Sequence, residues 1–324
     1  MILTTLGVIA LACSLDLLIS EPPNSAHPVA WFGRLVDHLE REWGDTEAGQ
    51  RLAGVAIALF APLVPASVAA GVVLAGTAVH PFVGAVAAGF VLFLTTSVRA
   101  LLELTETVVA ATEGDLETAR EDVRGLVGRD ATALSPAEIR SAAVESASEN
   151  LADGFVATLL PFALFAPLSL PLAAAAAAWV KGVNTLDSML GYHSKPIGTA
   201  SARLDDYVMW VPARVTAVTL AIGGRDLFAL RRARAWAREP PSPNSGWPMA
   251  TLACVLSVRL HKPGVYDLNP DADLPTLADG ERAITVVGLA AVVAVIVALG
   301  AAFGTTLLSS MLVESTAGTV VRGR

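Results

Sequence analysis

The chain has 324 residues, 54% hydrophobic and only 16% charged, with a formal net charge of −8 from 22 Lys+Arg against 30 Asp+Glu. So small a charged fraction, with a mean hydropathy of +0.58 and long apolar runs, fits an integral membrane protein with one functional unit, not a string of soluble domains. No basic face is dense enough for nucleic acid, and two cysteines, Cys13 and Cys254, are too few for a disulfide framework or a CxxC metal site. The acidic, lysine-poor composition suits high salt, and the absence of a basic N-terminal region argues against a cleaved signal peptide.

In chain order, Ile2 to Ile19 is almost wholly apolar and about long enough to cross a bilayer core. Asp16 near its end reads either as an interfacial carboxylate or as part of the site. Pro22, Pro23 and Pro28 make a stiff turn, and Trp31 to Glu40 has the spacing of an amphipathic surface helix. Residues 52–75 and 79–98 are two further spans with a tight turn near Gly76. Leu101 to Arg124 is helically periodic and is followed by a loop at 125–130. Ser135-Pro136-Ala137-Glu138 is a helix start, with Ser as N-cap, Pro in the first turn and Glu closing a capping box. Asp153-Gly154 reads as the stop of that helix.

Phe155 to Val180 is apolar but interrupted by Pro161, Pro167 and Pro171, which predicts a bent or re-entrant pair of short helices. Tyr207 to Ile222 is apolar yet holds Pro212 and Arg214, and Ile284 to Leu308 is the last span. The Lys/Arg-rich loops 99–140 and 223–283 are expected in the cytoplasm. The polar segments 141–154, 179–207 and 223–250 share that face if 155–180 and 207–222 dip in and return. The expectation is an all-α polytopic membrane bundle in the cell membrane, a single domain over 1–324, with full spans 2–19, 52–75, 79–98 and 284–308, re-entrant helices and a cytoplasm-facing polar site. Six simple spans, with 181–206 on the opposite face, is the alternative.

The chemistry centres on SAAVESASENLADG at 141–154. Glu145, Glu149 and Asp153 fall at i, i+4 and i+8, one stripe of a helix. Such carboxylates repel, and a divalent cation or a cationic side chain would relieve them; Asn150 adds an amide oxygen. Lys181, Asn184 and Asp187 fall at i, i+3 and i+6, and that helix ends at Gly191-Tyr192. Arg203, Asp205 and Asp206 form a mixed cluster whose bland reading is a salt-bridged surface turn. Two acidic groups with Lys181, Arg203 and Arg214 nearby suit Mg²⁺ and a phosphate-bearing substrate. Arg214 within an apolar stretch is a functional candidate by default. No Walker A or GxGxxG sequence is present. His27, His80, His193 and His261 lack ligand-spaced partners and read as structural. Pro243 to Pro248 is a rigid turn whose Trp247 is either an interface tryptophan or a lid over a planar ligand.

ESASENLADG at 145–154, KGVNTLDSMLGY at 181–192, ASARLDDYVMWVPAR at 200–214 and SPNSGWPMA at 242–250 together closely resemble the CobD/CbiB family of cobalamin biosynthesis. LDLLISEPPNSAHPV at 15–29 and VGRD at 127–130 match its remaining motifs in the same order. Glu21 stands where that family often has Asp, and Pro240-Pro241 replaces its usual basic residue plus Pro. The resemblance implies an adenosylcobinamide-phosphate synthase, a membrane ligase. It would join (R)-1-amino-2-propanol, or its O-phosphate, to the free propionate of adenosylcobyric acid, with ATP and Mg²⁺. On that reading Glu145, Glu149, Asp153 and Asp187 are catalytic, and Glu149, Asp153, Asp205 and Asp206 bind metal. Asn150, Lys181, Asn184, Tyr192, Arg203, Arg214, Asn244 and Trp247 hold substrate and phosphate. Partners would be the corrinoid, the amine, the bilayer and other late cobalamin-assembly enzymes of the membrane. Two other classes fit acidic helices in a membrane: a Mg-dependent CDP-alcohol or prenyl transferase, and a transporter.

Overall fold

In the computed structural model, residues 2–41, 43, 46–125, 132–191 and 195–322 are described, with side chains as far as 312. The VGRD motif at 127–130, Tyr192 and His193 lie outside the described residues.

Helix α1 (Ile2–Ile19) is apolar on all its faces apart from a few hydroxyls and Asp16, whose side chain is buried at 4% exposure. Helix α2 (Pro28–Leu39) starts at His27, whose Nδ1 accepts from the Val29 amide at 3.2 Å, with Pro28 already set for the first turn. After α3 (Glu47–Phe60) and α4 (Leu63–Val79), His80 caps α5 (Pro81–Thr95) in the same way, accepting from Phe82 N at 3.2 Å. The expected helix over 101–124 is two helices, α6 (Arg99–Ala111) and α7 (Leu116–Val123). Asp115 forces the break: its carboxylate caps the second helix by accepting from Glu117 N and Thr118 N.

Helix α8 (Pro136–Leu151) begins with the expected capping box. It does not stop at Asp153-Gly154: a five-residue π-helical turn, Ala152–Val156, carries the chain into α9 (Ala157–Phe165), which has Pro161 inside it. The Gly154 carbonyl, released from regular α-helical pairing, accepts from Ser97 N at 3.1 Å. Ser169 then caps α10 (Leu170–Leu190), and a 3₁₀ turn at Pro196–Gly198 leads to α11 (Thr199–Val208). Arg203, Asp205 and Asp206 are therefore on a helix and not in a turn. Helices α12 (Trp210–Gly223), α13 (Ala229–Ala233) and α14 (Gly246–Leu256) precede a hairpin of β1 (Leu260–Lys262) and β2 (Tyr266–Leu268), and α15 (Leu277–Arg322) closes the chain.

Four helical stretches are long and apolar enough to cross a membrane: Ile2–Ile19, Glu47–Val79, Pro81–Ala111 and Leu277–Leu312. Each overlaps one of the four runs expected to span. The apolar run 155–180 is divided between α9 and α10, and α12 is a short apolar helix.

The chain divides into two compact units, each discontinuous in sequence. In the first (Met1–Thr96, Thr158–Ala202, Val295–Arg324), α10 packs on α2, α4 and α5, and α5 also packs on α1 and α4. In the second (Ser97–Ala157, Arg203–Ala294), α8 is the central element, touching α6, α7, α14 and β1, and residues 141–148 of it are all buried.

The first unit has contacts with no space to spare, and that of Gly54 is made to a distant backbone. A Cβ on Gly54 of α3 would lie 2.1 Å from the carbonyl oxygen of Ile197, whereas one on Gly71 of α4 would meet nothing within 4 Å. Gly54→Ala should therefore destabilise by about 1–3 kcal/mol through overpacking. Gly71→Ala should be neutral or stabilise by up to about 1 kcal/mol, because it replaces a helical glycine without a clash. Thermal unfolding of the two variants in detergent measures the difference, and equal midpoints would contradict this packing.

Candidate active site

The site is built on α8. Glu145 is only 3% exposed, and a carboxylate so placed requires hydrogen-bond partners. The Ser141 hydroxyl, one turn earlier, donates to its Oε1 at 2.7 Å, and the Tyr266 hydroxyl donates to its Oε2 at 2.7 Å. Ser141 Oγ in turn accepts from the His261 amide at 2.8 Å. Both strands of the hairpin are thus fastened to one turn of α8.

The hairpin is itself well fixed. Lys262-Pro263-Gly264-Val265 is a turn with Val265 N bonded to Lys262 O at 3.0 Å and Gly264 at φ +71°, the left-handed conformation that glycine takes at least cost. Arg259 grips Asp267 through Nε at 2.7 Å, and this pairing holds the Asp267 carboxyl below its ordinary range. The register pairs Lys262 with Tyr266, and the Lys262 ammonium lies 6.0 Å from the centre of the Tyr266 ring.

Lys262 thereby brings positive charge to the acidic stripe. Glu149 is half-buried, and its pKa is pushed up to about 7, first by burial and then by Asp153; Lys262 pulls it down, and Glu145 adds a smaller upward push. Asp153 sits in the π-helical turn. Asn150 is exposed and turns its amide back to Ser146, donating to the carbonyl at 3.0 Å and to Oγ at 2.9 Å.

A second group in the same unit gathers around Arg214. Its guanidinium lies over the rings of Trp210 and Trp247, 4.8 and 5.4 Å from their centres, and donates to Asn244 Oδ1, to Pro243 O at 3.1 Å and to Trp210 O at 3.2 Å. Asn244, 4% exposed, donates to the Asp206 carbonyl at 2.8 Å, and Ser242 reaches the Asp206 carboxylate at 3.4 Å. Arg214 is thus bound into the 242–247 turn and braces Trp247. Asp205 on α11 is buried and Arg203 is exposed.

Lys181, Asn184 and Asp187 lie along α10 in the first unit. Lys181 lines a cavity of about 190 Å³ with Glu21, Asn24, His27, Thr95 and Thr96. Asp187 accepts the closing bond of α10 from Gly191 N at 2.7 Å.

Among the described residues no group of three or more His, Cys, Asp or Glu is arranged to hold a metal ion. The Glu149–Asp153 pair nevertheless has the donor chemistry that Mg²⁺ takes, one or two carboxylates completed by phosphate oxygens and waters. Its mutual repulsion, visible in the raised Glu149, is what a cation would relieve.

Sequence reasoning missed the hairpin, and with it Tyr266, Lys262 and the role of Ser141. The available signal was Pro263-Gly264, Pro followed by Gly at the centre of a four-residue turn, with an aromatic residue just after.

The CobD/Cbib protein family matches residues 9–296 of this chain. The chain belongs to the CobD/CbiB family. A "Probable cobalamin biosynthesis protein CobD" from Methanothrix thermoacetophila is 33% identical over 299 residues, 89% of this chain and 94% of the relative. "Cobalamin biosynthesis protein CobD" from Geobacter metallireducens is 36% identical over 284 residues, 84% and 86% of the two chains. "Cobalamin biosynthesis protein CbiB" from Salmonella typhi is 34% identical over 291 residues, 85% and 88%. No solved structure matches. The four motifs that carry the resemblance all fall within the matched CobD/CbiB region.

Tyr266→Phe keeps the ring and removes one donor from buried Glu145. It should cost about 1.5–3 kcal/mol, the range for hydrogen bonds to charged groups, read as a lowered unfolding midpoint; an unchanged midpoint would mean the hairpin is not clamped through this bond.

For Glu149 the folded pKa of about 7 exceeds the unfolded 4.5. The folded state therefore binds more protons between those values, and stability falls as pH rises from about 4.5 to about 7. In chelator-containing buffer Glu149→Gln should be more stable than the parent at pH 8, by about 3 kcal/mol, and equal to it below pH about 4.5. Parallel pH–stability curves for the two proteins would contradict the assigned environment.

Proposed function

We propose that this protein is an ATP- and Mg²⁺-dependent ligase of cobalamin biosynthesis. It would join (R)-1-amino-2-propanol, or its O-phosphate, to the free propionate of adenosylcobyric acid. Family membership supports the pathway, and the reading rests chiefly on one observation: Glu149 is poised near neutrality beside Asp153 and Lys262 on a rigidly clamped helix.

The chemistry requires an unreactive carboxylate to become an amide. The propionate takes the terminal phosphoryl group of ATP, ADP leaves, and the acyl phosphate carries a good leaving group. The amine nitrogen then bonds to the acyl carbon, the C–O bond to phosphate breaks, and the nitrogen gives up a proton. Glu149 is suited to accept that proton, since a base with a pKa near the working pH transfers protons most effectively. Asp153 would hold Mg²⁺ together with phosphate oxygens and waters, leaving Glu149 free of the metal for the proton; the ion when bound supplies positive charge to the transferring phosphoryl group. Lys262 stands on the same side of the site to neutralise phosphate charge. Glu145, gripped by Ser141 and Tyr266, keeps the helix and hairpin in register. Trp247, braced by Arg214, offers a flat apolar face for the corrin or the adenine. On this reading the site faces the cytoplasm, where ATP is available.

The direct test is a ligation assay in lipid with adenosylcobyric acid, the amine in both free and phosphorylated forms, and Mg-ATP. A corrinoid mass gain of one amide-linked amine should appear, should require ATP, and should fall at least 100-fold in Glu149→Gln, the usual scale for loss of a general base. A folded protein that yields no product with either amine would refute the ligase reading, and full activity in Glu149→Gln would refute the role given to the stripe.

A further inference from the structure

We propose that the first unit carries a binding site for one bilayer phospholipid with a primary-ammonium headgroup, of the phosphatidylethanolamine type. An apolar cavity of about 200 Å³ lies among α2, α4, α5 and α10, with Phe32, Ala69 and Val91 among its walls. Val68, Val72 and Phe90 also line it, and they are 62%, 49% and 49% exposed. Val68 and Val72 belong to one membrane-crossing stretch and Phe90 to another. The cavity therefore opens sideways between spans, where the surroundings are acyl chains and not water. Trp31 on α2 is half exposed and fixed by a bond from its indole N–H to Ser25 O at 2.9 Å, the placement expected of an aromatic residue at the membrane interface.

The apolar cavity shares Val29, Leu94, Thr95 and Lys181 with the polar cavity of about 190 Å³ described above. An occupant of both would have a hydrocarbon body and a polar head, and the polar end specifies the head. Lys181 supplies a cation for a phosphate. His27 Nδ1 accepts from Val29 N at 3.2 Å, so the neutral ring carries its proton on Nε2, a second phosphate donor. Burial, chiefly, keeps His27 below its ordinary pKa, which preserves that neutral form.

The remaining groups suit a cation. Glu21 is an anionic wall of the same cavity. Thr95 and Thr96 spend their hydroxyl hydrogens on the Leu92 carbonyl, at 2.9 and 3.1 Å, and so present oxygen acceptors. A head with phosphate at one point and a hydrogen-bonding ammonium at another satisfies both sides. A purely anionic head would leave Glu21 opposed to its own charge, and a quaternary ammonium has no N–H to donate. This inference is separate from the ligation chemistry proposed above, in which Glu21, His27, Thr95 and Thr96 have no part; Lys181, expected from the family resemblance to hold substrate phosphate, is assigned here to the lipid phosphate instead.

Native mass spectrometry of the full-length protein, released from nanodiscs of equal phosphatidylethanolamine, phosphatidylglycerol and phosphatidylcholine of one acyl composition, tests it. One retained phosphatidylethanolamine per chain is expected, favoured over each competitor by about tenfold, on the order of 1.4 kcal/mol. Val68→Trp, with Val72→Trp as a second obstruction at an exposed rim position, should reduce retention about tenfold while leaving the unfolding midpoint in detergent unchanged. Glu21→Gln should keep the lipid but lose the preference over phosphatidylglycerol. Retention without headgroup preference, retention unaffected by both tryptophan variants, or no retained lipid would each overturn the proposal.

Discussion

The second unit depends on where one buried negative charge finds its hydrogen bonds. Glu145 sits among fully buried residues of α8, and an ionised carboxylate there is affordable only with donors on both oxygens. One donor comes from its own helix and the other from a hairpin 121 residues away in sequence. The hairpin has three residues in each strand and is too small to be stable alone. Its fold and the carboxylate's satisfaction are therefore one event. Arg140 repeats the arrangement nearer the start of α8, donating to Pro275 O at 2.8 Å and to Thr112 Oγ1 at 2.9 Å. A helix held by two such long-range polar contacts has little freedom to rotate, so the stripe it carries keeps a fixed direction.

The first unit reaches rigidity by a different route, through small residues. Ala173, Ala174, Ala177 and Ala178 of α10 are all buried, so this stretch of small residues is a close-packing face. Near its end a Cβ on Gly182 would stand 3.0 Å from Pro65 and 3.2 Å from the Pro62 backbone. Between membrane helices there is no difference in hydrophobicity to exploit, and small side chains let van der Waals contact do the work. The same α10 ends in the polar sequence KGVNTLDSML, so tight apolar packing and functional groups share one helix.

Much of this was legible in the sequence where the signal is local. The capping box at Ser135, the apolar stretches and the i, i+4, i+8 carboxylates depend on residues within one or two turns of each other. His27 and His80 were readable as structural, although their role as caps depends on an acceptor nitrogen that no spacing rule announces. The break at Asp115 was present as an N-cap residue after Gly114, but helical periodicity on both sides concealed it. The hairpin lay beyond periodicity altogether: three residues per strand give no alternation to detect, and Tyr266 gains its meaning only from Glu145. Arg214 was legible as unusual but not as a brace, because its partners Asn244 and Pro243 come from a turn about 30 residues on.

The misread stop at Asp153-Gly154 is the most informative difference. Gly usually ends a helix because it adopts a left-handed conformation and frees the last carbonyls. Here the backbone stays helical and accommodates one extra residue in a π turn, and the Gly154 carbonyl accepts from Ser97 N. Such turns are uncommon and concentrate at functional sites. The extra residue shifts Asp153 around the axis relative to an ideal helix, while Glu149 remains close enough to feel its charge. A regular helix would fix the two carboxylates at the spacing of any i, i+4 pair. The π turn departs from that spacing, and a bond from the distant Ser97 amide accompanies it. On the proposed reading, the two like charges of Glu149 and Asp153 stand at the one turn of this helix where the backbone deviates.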